Sequence, residues 1–273
     1  MGLSGARAWR VSTPQGLTDI RVTRNHLDFR SEVLAHRTAV HRLGPNQGPR
    51  LTAFEPRTRT LLVTHPRGRP VDDEAALHLL PRIHQDAGRL LAVLHDSVEQ
   101  VPDVRAQSAR HLGQYTQRVL YLLDRIGTWL SVEEVENVRR SAARLQQQGN
   151  ELPVAFCHGT FGTGSWRWNI QRQTLSVTNV ERAKVLPAIC DFARSASLWA
   201  AHKHLAESFL TAYGRQLDDA EQLLLSDAAL LTAVEDVHHA LVLRDGDALS
   251  AAGAVLRDTV RQRSSIDRRE DWS

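Results

Sequence analysis

Cysteine is nearly absent from this sequence: Cys157 and Cys190 are the only two in 273 residues. They make no CxxC pair and no disulfide framework, which excludes a cysteine-stapled secreted module and suits a reducing compartment. No stretch approaches the ~18 uninterrupted apolar residues of a membrane span. The opening residues, MGLSGARAWRVS, lack the apolar centre of a secretion signal. An excess of one charge is missing too, since 34 basic residues stand against 31 acidic ones for a formal net charge of +3. Arginines and acids alternate instead of gathering into a stripe, so no nucleic-acid-binding face is expected. Together these absences predict a cytoplasmic protein with neither a membrane nor a nucleic-acid partner; its oligomeric state is not encoded. The length suits one large domain or a small lobe joined to a larger one.

Turn chemistry and periodicity divide the chain in two. Residues 1–68 read as strand and turn around one helix. Ala8 to Val11 and Thr18 to Val22 flank the turn-rich STPQG, which predicts a hairpin. Phe29, Val33, His36, Val40 and Leu43 then recur at helical spacing. PRLTAFEP and RTLLVTHP give two further strands around a turn at Pro56 to Thr58. PRGRPVDDE breaks this pattern, and residues 69–273 are mainly helical. One helix carries Leu79, Ile83, Leu90, Leu91 and Leu94; a second is expected to stop at Gly127 as a C-cap. A third opens on Ser131 with Glu134 three residues on, a capping box. LPVAFCHG and two short strands, SWRWNI and TLSVTNV, interrupt the helices, which resume from Ser197 to about Arg263. The order predicts an α+β chain with a small antiparallel lobe and a larger helical lobe. An irregular loop in the middle of a helical lobe is where a cleft enzyme keeps its site.

That loop, CHGTFGTGSWRWN from Cys157 to Asn169, holds glycines, a histidine and two tryptophans but no acid and no lysine. Trp166 and Trp168 alternate on a strand and share one face, which favours packing over ring binding. The HKH at His202 to His204 and the HH at His238 and His239 have no cysteine or acid at a ligand spacing, so no metal is expected there. Cys157 has no identifiable base beside it, which argues against a covalent role.

From Ala8 to about Arg261 the chain resembles the aminoglycoside phosphotransferase and choline kinase family, relatives of the protein kinases. The resemblance is carried most by CHGTFGTGSWRWNIQRQTLSVTNVERAKVLPAICDFAR, set against the family's H-G-D-F-x-x-x-N loop, hairpin and I-D-[WF]-E-x-A segment. LLAVLH and FLTAYGRQL add support, RSEV matches the family's αC glutamate region, and LLVTHPRGRP its hinge. It implies a bilobal protein-kinase-like fold with its catalytic loop over residues 157–182.

It also implies what has changed. His158 and Gly159 match the family, but the acid that orients the substrate hydroxyl is replaced by Thr160, which has no useful basicity near neutral pH. The two magnesium-holding positions, asparagine and aspartate in the family, are Ser165 and Asn179; magnesium favours carboxylates and phosphate oxygens. The phosphate-holding lysine falls at Arg21, whose helix partner would be Glu32; Glu32 either pairs with Arg21 or lies solvated. Only 20 residues precede Arg21, so the small lobe is expected to be truncated and to lack the glycine-rich loop. Asp191 matches an aspartate that braces the catalytic loop, and His158 and Gly159 have loop-shaping roles. Phosphoryl transfer rests on positioning and charge neutralisation. The expectation is therefore a pseudokinase with no catalytic residue intact, no bound metal and no cofactor. It would hold a protein or peptide partner, with a peptide natural-product modification complex as one setting. The alternative is an active ATP- and magnesium-dependent phosphotransferase on a small-molecule or peptide Ser/Thr hydroxyl, with Glu181 as its candidate substitute acid.

Overall fold

The computed structural model describes residues 7–13, 16–71 and 80–270, with side chains as far as Arg263. Its contacts gather into two compact units, each made of several segments. One comprises the chain up to Glu99 with Ala155–Val185 and His202–Gln216; the other comprises Gln100–Val154, Leu186–Ala201 and the chain from Leu217.

The first unit holds a four-stranded antiparallel sheet of β1 (Arg7–Thr13), β2 (Gly16–Val22), β3 (Leu51–Glu55) and β4 (Thr60–Thr64), in the order β1-β2-β4-β3. The β1–β2 hairpin runs in register from Arg7 opposite Val22 to Thr13 opposite Gly16. Two residues of its expected turn, Pro14 and Gln15, lie outside the described residues. Strand β4 buries Leu61 and Val63, two positions apart, against Phe29 and Val33 of helix α1 (His26–Thr38). That is the period-two face of a strand meeting the apolar stripe of a helix. Asn25 caps α1 by accepting the Asp28 N–H at 2.9 Å. The helical spacing through Val40 and Leu43 does not continue as α-helix: α1 ends at Thr38, whose hydroxyl turns back onto the Leu34 carbonyl, and Val40–Arg42 forms a 3₁₀ turn.

The same unit carries a second sheet, β5 (Arg69–Pro70), β7 (Trp166–Asn169) and β8 (Thr174–Val177), in the order β5-β7-β8. Strands β6 (Val154–Cys157) and β9 (Lys184–Pro187) form a two-stranded ladder. Trp166 and Trp168 are both buried, as their alternation predicts. Trp166 stacks edge-on with His84 and Phe161, at centroid distances of 5.2 and 5.5 Å. Helix α2, described from Leu80 to His95, packs along helix α6 (Lys203–Tyr213). Leu79, expected on α2, lies outside the described residues.

The second unit is helical: α3 (Pro102–Ile126), α4 (Val132–Gln148), α5 (Ala193–Ala201), α7 (Asp219–Leu243) and α8 (Gly246–Glu270). The Ser131–Glu134 capping box is present at α4, and Asp218 with Glu221 makes another at α7. Gly127 follows α3 but keeps a right-handed φ of −57°, so the chain winds on into a 3₁₀ turn over Gly127–Trp129 instead of stopping on a left-handed cap. The later helical stretch starts at Ala193 and is interrupted at His202 and after the left-handed Gly214 and Arg244. Asp227 of α7 is fully buried and is met by Ser141 Oγ at 2.7 Å, Arg144 Nη2 at 2.8 Å and Arg263 Nε at 3.2 Å. A buried carboxylate so surrounded joins α4, α7 and α8 through charge; removing Asp227 would leave two arginines without their shared counter-charge.

Gly88 sets the approach of α2 to α6. A β-carbon there would lie 2.3 Å from the Phe209 carbonyl oxygen and 3.0 Å from the Tyr213 nitrogen, both backbone atoms. A glycine in an open helix face gains about 1 kcal/mol when replaced by alanine. At this position the sign is expected to reverse. Gly88→Ala should lower the urea midpoint by the equivalent of ~1–3 kcal/mol of overpacking, and a stabilised variant would contradict the packing described.

Candidate functional site

Residues of the predicted site converge in the first unit, on β2, α1 and the segment from Cys157 to Arg182. The loop after β6 is built around His158, which is buried. Its Nε2–H donates to the Thr178 carbonyl at 2.7 Å, and Nδ1 accepts the Thr160 N–H at 3.3 Å. Its ring also packs edge-on against Phe161. Gly159 adopts φ +81°, and a β-carbon on it would sit 2.5 Å from the Arg182 carbonyl oxygen. Only glycine serves both the left-handed backbone and that approach.

Thr160 is partly exposed, and its hydroxyl donates to the Asn179 carbonyl at 3.2 Å. Ser165 is buried and faces inward: its hydroxyl donates to the Gly162 carbonyl at 2.9 Å and accepts the Gly162 N–H at 3.3 Å. The hydroxyl is thus engaged within its own turn, as both donor and acceptor. Asn179 is exposed and left-handed, φ +63° and ψ +46°, a conformation asparagine tolerates better than most residues. Thr160, Ser165 and Asn179 therefore share one loop system, and none carries charge.

Charge lies one step away. Arg21 of β2 places Nη1 3.0 Å from Glu32 Oε1 and Nη2 3.2 Å from Glu181 Oε2. Of the two readings left open for Glu32, the paired one is observed. Neither carboxylate oxygen lies on a well-directed N–H, so these are contacts of charge more than of hydrogen bonding. One guanidinium thus faces two carboxylates. Burial works against the Arg21 charge, but Glu32 and then Glu181 hold its pKa above the usual arginine value. Glu32 is 1% exposed, and burial pushes its pKa up to about 7, with Arg21 pulling it back and Glu181 pushing it further. His36, one turn along α1, moves the other way: burial first, then Arg21 and Arg50, depress it to about 4.

Sequence reasoning missed His36 and Arg50. His36 was visible only as a member of the buried helical face, and helical spacing says nothing of titration. Arg50 carries no local signal at all; its guanidinium bonds back to the carbonyls of His41, Leu43 and Gly44. Asp191 belongs to the second unit, buried at the end of the turn Ala188–Asp191.

The sequence matches no family model and no curated protein. Its similarity is to solved structures. The GDP complex of an aminoglycoside 2'-phosphotransferase-IIIa superposes with a TM-score of 0.66 at 13% identity, over 96% of this chain and 91% of that one. An ethanolamine kinase from Plasmodium vivax gives 0.64 at 12% identity, over 95% and 80%. A choline/ethanolamine kinase family protein from Mesorhizobium loti gives 0.62 at 14%, over 97% and 89%. The fold is that of a kinase-like phosphotransferase. At these identities the likeness speaks for the fold and not for an activity. Arg21 and Glu32, which the sequence resemblance sets against the family's lysine–glutamate pair, are in contact as an ion pair. Glu181, named as a candidate substitute acid, is drawn into that pair. No helix among the described residues is long and apolar enough to cross a membrane.

The opposed shifts of Glu32 and His36 give stability a worked pH dependence. A carboxyl raised from 4.5 to about 7 contributes fully below pH 4.5, and that contribution is lost as pH rises through 7. A histidine lowered from 6.5 to about 4 costs nothing above pH 6.5 and costs progressively more as pH falls through 4. Each is on the order of 3 kcal/mol at most, so the two nearly cancel in the unaltered protein. Glu32→Gln should become more stable relative to the parent as pH rises from 4.5 to about 7, and level off above that. His36→Gln should do so from pH 6.5 down to 4. Denaturant titrations at four pH values measure both slopes, and flat differences would refute the assignment.

Proposed function

We propose that this chain is a catalytically degenerate phosphotransferase-like protein, a pseudokinase, that holds a protein or peptide partner instead of transferring phosphate. One observation carries the reading. Glu181, the carboxylate two residues after Asn179, is engaged by Arg21 together with Glu32 and is not available as base or ligand. Thr160 and Asn179 offer a hydroxyl and an amide, and Ser165 is turned into its own loop. Magnesium held between phosphates and protein needs one or two carboxylates. The donor set of this loop is neutral and does not fit such an ion. Loss of a charge-stabilising group in phosphoryl transfer costs about 10³–10⁵ in rate, and the effects of groups that act as a unit do not add.

The partner is a peptide or protein segment, and a regulatory subunit of a peptide-modifying assembly is the setting this reading favours. That setting rests on analogy with the fold. The second reading, an active enzyme on a small-molecule or peptide hydroxyl, draws its support from the intact ion pair between Arg21 and Glu32 and would need Glu181 released.

The magnesium-dependent part of nucleotide binding separates the two. The melting temperature is recorded with ATP in EDTA and with ATP in magnesium; a ligand at a hundred times its Kd stabilises by about 2.7 kcal/mol. The expected result is no increment from magnesium and no phosphate release. The Thr160→Asp/Asn179→Asp double variant should acquire the increment. Magnesium-dependent turnover by the unaltered chain that Glu181→Gln abolishes would establish the second reading instead.

A further inference from the structure

A groove on the outside of the first unit combines a free strand edge with cationic walls. Strand β3 ends the four-stranded sheet, so among the described residues its outer edge pairs with no strand. A cavity of about 570 Å³ is lined by Leu51 to Phe54 of β3 and by His36, Arg37, His41 and Arg50. Consecutive residues of a strand point to opposite faces, so a cavity that touches four in a row lies along the edge. No carboxylate lines it. Arg37 is exposed and lies over the Phe54 ring, 4.9 Å from its centroid. Arg50 bonds to the carbonyls of His41 and Gly44, which fix its position and leave its charge intact. His36 closes the inner wall. It is buried, and neither ring nitrogen makes a well-directed hydrogen bond, although the Pro49 carbonyl is close. A buried imidazole N–H without an acceptor is costly unless a ligand brings one.

The backbone fixes this arrangement in advance. Helix α1 ends at Thr38, and the 3₁₀ turn Val40–Arg42 carries His41 round to where Arg50 is tied. On the sheet side, Leu51 lies opposite Val63 and Phe54 opposite Leu61, with a register shift between Leu51 and Ala53. Phe54 also packs on Phe29 of α1, with ring centroids 6.1 Å apart, which gives the groove an apolar floor. A peptide that adds to a sheet edge takes affinity from main-chain hydrogen bonds and specificity from its alternate side chains. An apolar floor under a basic rim selects acidic and apolar residues in alternation.

We propose that this groove docks an extended acidic segment of a partner protein, added to β3 as a further strand. Its carboxylates meet Arg37, His41 and Arg50, its apolar side chains rest on Leu51 and Phe54, and an acceptor oxygen reaches His36. The inference rests on the pseudokinase reading for there being a partner. It does not rest on the state of the Thr160–Ser165–Asn179 loop, which contributes no residue to the groove.

Titration calorimetry of the full chain with a synthetic octapeptide of alternating glutamate and phenylalanine tests it, and no nucleotide or magnesium enters the experiment. Saturable binding is expected, and the peptide with lysine for glutamate should not bind. A copy methylated on its backbone nitrogens should not bind either, because strand addition needs main-chain N–H groups. Arg37→Glu should weaken binding at least about tenfold, since like charges then face each other. His36→Leu should weaken it about fivefold while its melting temperature holds or rises, as expected when a buried polar group without a partner is replaced by an apolar one. Arg37 is exposed, so its variant keeps the fold and remains decisive if His36→Leu does not. Absence of saturation at millimolar peptide overturns the proposal. So does equal binding of the lysine or N-methylated peptide, or affinity that both variants leave unchanged. Any of these results leaves the magnesium-dependent nucleotide test standing by itself.

Discussion

A single guanidinium set between one buried and one half-buried carboxylate is the constraint on which the first unit turns. Arg21 reaches from β2 to Glu32 on α1 and to Glu181 in the turn Val180–Arg182, so three segments distant in sequence meet at one cation. The charges do not balance when both acids are ionised. Burial first, and the nearby Glu181 charge after it, lift the Glu32 carboxyl to about 7, while burial with Arg21 and Arg50 holds the neighbouring His36 down to about 4. Buried ions of this kind contribute little net stability compared with apolar packing, yet breaking one is expensive. Their effect is to fix where α1 stands.

The loop beside this cluster keeps its shape by other means. His158 bridges the Thr178 carbonyl and the Thr160 amide, Gly159 permits a close approach to Arg182, and Ser165 closes a turn on Gly162. None of these devices uses an acid. Backbone geometry and catalytic charge are thus carried by different residues, which lets a phosphotransferase fold persist while the loop's chemistry changes. Under the proposed function, selection has kept the first set of residues and released the second.

Much of this was legible in the sequence, for physical reasons that differ by element. The strands and helices announced themselves through the alternation of Leu61 and Val63, the spacing of Ile83, Leu90, Leu91 and Leu94, and the capping box at Ser131; each is a local rule with a local cause. The loop came from its match to a known pattern, which also located Arg21 and Glu32. What stayed hidden was long-range. That Glu181 would join the Arg21 pair depends on α1 packing against the turn after β8. Arg37 and Arg50 have nothing around them in sequence to distinguish them from solvated arginines. The failure at Gly127 is of another kind, since a glycine permits a left-handed stop without imposing one.

Asn179 carries a consequence for how such a chain can drift. Its backbone already rests in the left-handed basin that asparagine and aspartate both tolerate. Exchange of amide for carboxylate at this point asks no peptide plane to rotate and no neighbour to retreat. Acquisition and surrender of a negative charge here lie a single codon change apart, and lineages can cross that boundary in either direction while the scaffold stays still.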